Sequence, residues 1–190
     1  MSMIDDSHRH PPRTGGELLR LVHGSHLYGT AHAGSDLDLY VVVAGSHRPV
    51  QTIRDGIDVM VLGLPQFLAQ ASAGVPQALE AMFAPQPELD LIGHLRRAFR
   101  VAGGELLDRM RRTVRAFAGD PRNPLKRRRH ALRIAYGLGD VKVRGRYCPV
   151  LTGDRLSAVL SVVDSTSREE LRALIDLAAG EDVLGLDRHA

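Results

Sequence analysis

Residues 23–43 read HGSHLYGTAHAGSDLDLYVVV, and Asp36 follows Ser25 by eleven residues. Two carboxylates beside an apolar run cost stability unless a positive group sits between them. Side chains of a strand alternate faces, so Asp36 and Asp38 are expected to point the same way, roughly 6.6 Å apart along the backbone. Carboxylates at that spacing can share a hard cation. Mg²⁺ takes oxygen ligands at about 2.1 Å and keeps open positions for substrate phosphates. A third carboxylate would complete a two-metal site or take a proton from a nucleophile. Asp58, between Ile57 and Val59 in a second apolar run, is the candidate. Asp55, followed by Gly56, reads instead as a turn residue.

Gly24 and Ser25 suit the other half of such a reaction. A glycine lets backbone amides approach a phosphate without a Cβ in the way. The serine adds a hydroxyl donor, and a helix starting there offers free amides to an anion. Further along, Lys126, His130, Arg133 and Gly137 recur at steps of four, three and four, on one helix face. That cation stripe could reach a triphosphate tail, and arginine forks match phosphate geometry. Arg127, Arg128 and Arg129 are expected to face water or a nucleic-acid backbone. Lys142, Arg144 and Arg146 alternate, as in a basic edge strand or ribbon. His23, His26 and His32 flank the Gly-Ser loop without the carboxylate or cysteine spacing of a zinc site. They read as loop or phosphate-side histidines, and His8, His10, His47 and His189 as surface residues. Tyr28 and Tyr40 read as packing residues, with Tyr28 able to border a nucleotide.

These residues need elements to hold them. Leu21–His23 is a brief strand that stops at Gly24, and the stretch before it, from Gly15, is a short helix or the approach to that strand. A helix can begin within 25–33. LDLYVVVA (37–44) and IDVMVL (57–62) are β-branched, apolar strands, and 45–55 is a loop between them. Pro65 opens a helix, as proline does in a first turn, and Val75–Phe83 is another. Residues 85–90 break the pattern. Apolar residues from Leu95 to Phe117 recur at three- and four-residue steps, so one long amphipathic helix is expected, kinked or split at Gly103-Gly104. Asp120-Pro121 ends it. Pro124 starts a helix to about Gly137 or Gly139, and two more follow over 152–163 and 167–179. Ser167 with Glu170 forms a capping-box pattern.

The chain has 190 residues, 44% apolar and 25% charged, ordinary for a soluble globular protein. No run approaches the roughly 18 apolar residues of a membrane span, and residues 1–14 lack a signal-peptide core and read as a disordered tail. The single cysteine, Cys148, excludes an intramolecular disulfide and fits a reducing, cytoplasmic setting. Cys148 itself reads as a packed or half-exposed thiol. The net charge of +3 is segregated. Residues 94–147 hold 16 Lys/Arg against 4 Asp/Glu, whereas 1–93 hold 5 against 10 and 148–190 hold 4 against 8. A basic middle points to a polyanionic partner, RNA or DNA, and the scarcity of aromatics argues against single-strand stacking.

The run GSHLYGTAHAGSDLDL resembles the polymerase-beta-type nucleotidyltransferase superfamily. Its pattern is an apolar strand, Gly-Ser, a gap near ten residues, Asp-x-Asp, and a later strand carboxylate. Gly24, Ser25, Asp36, Asp38 and Asp58 match it. Tyr28, Gly29, Thr30 and Ser35 fit the branch of minimal and RNA-repair-associated nucleotidyltransferases, and Lys126, His130 and Arg133 give a weaker echo of that branch. The resemblance covers residues 18–62.

It implies an α/β (α+β) fold, with a small mixed β-sheet core flanked by helices over 15–90 and a helical substrate-binding region over 91–190. It implies catalytic and metal-binding Asp36, Asp38 and Asp58, two Mg²⁺ ions (or Mn²⁺), and nucleotide contacts from Gly24, Ser25, Ser35, Lys126, His130 and Arg133. The reaction would be in-line attack on the α-phosphorus of a nucleoside triphosphate. The acceptor would be a hydroxyl, preferably of RNA such as a tRNA end, with release of pyrophosphate. A protein side chain is the next acceptor, and a non-catalytic nucleotide- or RNA-binding module is the alternative function.

Overall fold

The computed structural model describes residues 16–54, 56–101, 103–120 and 124–184. The N-terminal tail, Asp55, His8, His10 and His189 lie outside the described residues. The first part of the chain runs β1 (Glu17–His23), α1 (Gly24–Tyr28), β2 (Leu37–Val43), β3 (Val50–Arg54), β4 (Ile57–Gly63), α2 (Leu64–Ser72), α3 (Pro76–Phe83) and β5 (Leu89–Asp90). Helices follow: α4 (Gly93–Ala98), α5 (Gly104–Ala118), α6 (Pro124–Arg144), α7 (Gly153–Ser161) and α8 (Arg168–Ala179). The strands form one mixed sheet in the order β3-β4-β2-β1-β5, parallel only between β2 and β4. The fold is of the α/β class, as the apolar runs and helical periodicities led us to expect.

Period-two alternation gives the sheet two apolar faces. Leu19, Leu21, Tyr40, Val42 and Leu62 pack against Phe67 and Ala71 of α2 and Ala78 and Met82 of α3. Leu39, Val41, Ile57 and Val59 cluster on the other face. Asp38 and Asp58 share the parity of Tyr40 and Leu62, so they lie on the helix-covered face, beyond the end of its apolar stripe. In the second half, Leu132, Ile134, Ala135 and Leu138 of α6 are buried with Leu106, Met110 and Val114 of α5 and Leu171, Ile175 and Ala179 of α8. Each buried Leu, Ile, Val or Met among them contributes roughly 1.5–3 kcal/mol. The capping box forms: the Glu170 amide donates to Ser167 Oγ at 3.1 Å, and the Ser167 amide donates to Glu170 Oε2 at 2.7 Å.

Several elements differ from the sequence expectation. The presumed loop 45–55 contains β3, which pairs antiparallel with β4 as an edge strand. Only two of its residues, Val50 and Ile53, are large aliphatics, too few for an alternating pattern. The break at 85–90 contains β5, two residues added to β1. The helix expected over 94–117 is split, as its Gly103-Gly104 pair allowed, but the break begins earlier, at Phe99, which turns extended at ψ 130 and packs on Phe83 with ring centroids 5.9 Å apart. Helix α6 runs through Gly137 and Gly139, so Lys142 and Arg144 lie on a helix rather than a ribbon. Both glycines are there for close approach. A Cβ at Gly137 would meet the Tyr147 ring, and one at Gly139 would meet the Ala178 carbonyl. Among the described residues, no helix is long and apolar enough to cross a membrane.

Candidate active site

Register brings three titratable residues into one row. Across β1, β2 and β4, His23 is the partner of Asp38, and Asp38 is the partner of Asp58. Paired residues on neighbouring strands sit about 5 Å apart and project to the same face, so like charges there repel. The Asp38 carboxyl is accordingly raised above its ordinary range, by burial first and the Asp58 charge second, against the opposing pull of His23 and Lys126. Asp36 adds a smaller push in the same direction. It stands one residue before β2 and is exposed, so it does not share the strand geometry expected for an Asp-x-Asp pair.

The row opens into a cleft of about 730 Å³. All nine residues singled out from the sequence line it: Gly24, Ser25, Ser35, Asp36, Asp38, Asp58, Lys126, His130 and Arg133. Their roles differ from expectation in several places. Gly24 takes φ +63, and a Cβ there would lie 2.8 Å from Asp38 Cγ, so the glycine is required first by the Asp38 carboxylate. Helix α1 is five residues long, so the dipole behind Ser25 is slight. Ser35 Oγ accepts from the His32 amide at 2.9 Å and so organises the turn leading into Asp36.

Arg133 is buried and paired with Glu80, which is wholly buried on α3. Glu80 also accepts from Tyr28 at 2.6 Å and Tyr147 at 3.4 Å, and His23 Nε2 lies 2.9 Å from its Oε2. The Arg133 guanidinium stacks 3.6 Å above the Tyr28 ring. One carboxylate therefore ties β1, α1, α3 and α6 together behind the cleft. Burial alone would raise the Glu80 carboxyl, but Arg133, His23 and Tyr28 outweigh it and hold it down at about 2. His130 is pushed down to about 3 by burial and the Arg133 charge. Its ring is neutral at pH 7 and accepts from Arg133 at 3.3 Å on Nδ1. Of the expected cation stripe, Lys126 is the member whose charge acts on Asp38.

The arginines after Lys126 also serve the fold. Arg128 donates to the carbonyls of Val163, Asp164 and Thr166, and Arg129 to those of Leu160 at 3.0 Å and Val162 at 2.9 Å. Arg127 lies 3.4 Å from Asp120 and stacks on Phe117. The expectation that these three face water or nucleic acid is corrected: they tether the α7–α8 connection and the end of α5.

Sequence reasoning misread one residue and missed two. His23 does end a strand, as expected, but as a buried residue, 7% exposed, rather than a loop or phosphate-side histidine. Glu80 left a signal, a single carboxylate inside the apolar stretch ALEAMF. Gln51 left none, since it sits on the unrecognised β3, yet it donates to Asp58 Oδ2 at 2.5 Å.

The residues fit a divalent cation in one specific respect. Asp58 Oδ1 is buried with no hydrogen-bond partner among the described residues while Gln51 occupies Oδ2, so an oxygen ligand stands ready beside Asp38. Among the described residues no three His, Cys, Asp or Glu side chains converge to enclose a metal. The expected closed triad is therefore an Asp38–Asp58 pair with Asp36 at its margin, a donor set that suits Mg²⁺ completed by substrate oxygens.

No family model and no curated protein matches this chain.

Proposed function

We propose that this chain is a Mg²⁺-dependent nucleotidyltransferase that moves a nucleoside monophosphate from a nucleoside triphosphate to a hydroxyl, preferably of RNA. The observation that carries this reading is the register pairing of Asp38 with Asp58, in a cleft also lined by Gly24, Ser25 and Lys126.

Asp38 and Asp58, joined by Asp36, would hold the cation. When bound, it supplies Lewis acidity toward the acceptor hydroxyl and neutralises triphosphate charge. Gln51 fixes Asp58 by one oxygen and leaves the other for ligation or for the acceptor proton. Gly24 keeps the Asp38 carboxylate where it is needed. Ser25 and Lys126 bind phosphate oxygens, and neutral His130 contributes hydrogen bonding rather than charge. As the acceptor oxygen bonds to the α-phosphorus, the α–β bridging bond breaks and pyrophosphate leaves with the electron pair. The acceptor proton passes to Asp58 and on to solvent.

A protein hydroxyl is the second reading for the acceptor. It is favoured by the engagement of Arg127, Arg128 and Arg129 within the fold, which weakens the charge argument for a polyanion. The test is incubation of the full chain with each α-³²P nucleoside triphosphate, Mg²⁺ and either total RNA or cell protein. Label should enter one pool with wild type and neither with Asp38→Asn or Asp58→Asn. Label retained in both variants would overturn the site.

A further inference from the structure

The cleft continues past the carboxylates. Tyr40, Met60 and Gln77 line it, and the same three residues line a second cavity of about 400 Å³. Tyr40 and Met60 follow Asp38 and Asp58 by two residues on the same face of β2 and β4. The two cavities therefore form one groove, running along the strands from the acid pair toward the junction of α2 and α3.

Three features of the extension point to a ligand. Tyr40 is 3% exposed, and its hydroxyl is buried without a hydrogen-bond partner among the described residues. Met60, Val75 and Ala73 give apolar walls, while Gln70 and Gln77 each bring an amide donor and acceptor. Arg109 lines the groove, is exposed, and carries no ion pair among the described residues. On the same helix, Arg111 is tied to Glu181 and Arg115 to the Val183 carbonyl.

We propose that this extension is a nucleobase subsite that takes the terminal nucleoside monophosphate unit of the acceptor. Apolar walls suit the faces of a flat ring, and glutamine amides suit the paired donors and acceptors of a base edge. The guanidinium of Arg109 suits that unit's own phosphate. Its place in the reaction rests on the nucleotidyltransferase reading. Entering and leaving oxygens lie on opposite sides of the phosphorus in an in-line displacement. With pyrophosphate on the Ser25 side of Asp38, the hydroxyl enters from the opposite side, within reach of the groove that begins at the acid pair.

The test reads binding alone. The full chain carrying [¹³C-methyl]methionine is titrated with AMP, CMP, GMP and UMP in turn, in EDTA, and the Met60 methyl resonance is assigned with Met60→Leu. At least one nucleotide should shift Met60 saturably and leave Met110 of the helical core unmoved. Ala69→Leu and Ala73→Leu, which fill the groove, should each abolish the shift. Arg109→Ala should weaken the nucleotide about tenfold, the loss of one charge-assisted contact, and leave the matching nucleoside unchanged. A Met60 signal unmoved by all four nucleotides, or moved equally in both filled variants, overturns the subsite. Since neither metal nor triphosphate is present, a chain that transfers no nucleotide still reports on the groove. A chain that transfers normally with Met60 unmoved loses the groove alone.

Discussion

Gly24 leaves the space that the Asp38 carboxylate fills. The two residues sit on successive elements, one opening α1 and the other in β2, and a single Cβ at position 24 would fall on the carboxylate. Gly24→Ala should displace Asp38 and add about 1–2 kcal/mol of left-handed backbone strain. Misplacement of a reacting group by about 1 Å costs on the order of 100-fold in rate. The variant should fold, by circular dichroism, and transfer nucleotide about 100-fold more slowly. Wild-type kcat/KM in Gly24→Ala would show that the close approach has no catalytic role.

Glu80 should prove the most sensitive single position for stability. Glu80→Gln leaves Arg133 buried without its countercharge, which costs roughly 3–5 kcal/mol. Glu80→Leu combined with Arg133→Met should lose less than Glu80→Gln alone, since no uncompensated charge remains. The pH dependence has a definite sign. The Glu80 carboxyl is lowered from 4.5 to about 2, so its contribution is complete above pH 4.5 and is lost as pH falls toward 2. Urea denaturation from pH 7 to pH 3 should show the gap between wild type and Glu80→Gln narrowing only below pH 4.5.

Asp38 should behave in the opposite way. Its carboxyl is raised above 3.8 by burial and by Asp58, so ionisation destabilises the metal-free fold as pH rises above that value. In EDTA at pH 7, Asp38→Asn should melt higher than wild type. The difference should vanish below pH 3.8, where both states are protonated. A lower melting temperature for Asp38→Asn would mean that the acid pair is already stabilised within the fold.

Arg128 offers a check on the basic segment. Because its guanidinium holds carbonyls before α8, Arg128→Ala should cost about 1.5–3 kcal/mol. RNA retention on filters should be unchanged when compared below both melting points. Intact stability with a large drop in RNA retention would return the side chain to the interface role that charge counting gave it.

The core strands and most helices were legible because their signals are local. LDLYVVV and IDVMVL alternate with β-branched residues, and Pro65 and Ser167 mark helix starts. Asp38 and Asp58 were legible as a pair because strand parity fixes where such residues point, whereas Gly24 stood out as a phosphate-side glycine and its space is taken by the Asp38 carboxylate. Strands β3 and β5 were not, since an edge strand and a two-residue bridge take their hydrogen bonds from neighbours rather than from their own pattern. Gln51 was lost with β3. Arg133 and Glu80 show a second limit. They lie 53 positions apart, and no spacing rule joins charges that meet only through tertiary packing. The charge run at 126–129 was visible, but the partners of Arg128 and Arg129 are backbone carbonyls, which a charge count does not register.

The central claim is nucleotidyl transfer through Asp38 and Asp58, and a paired-label experiment tests it most directly. Wild type with Mg²⁺ and one nucleoside triphosphate, labelled at the α-phosphate in one reaction and the γ-phosphate in another, should place the α label on the acceptor and release the γ label as pyrophosphate. Asp58→Asn should do neither. Transfer of the γ label to the acceptor, or an α-labelled product formed equally by Asp58→Asn, would contradict the account.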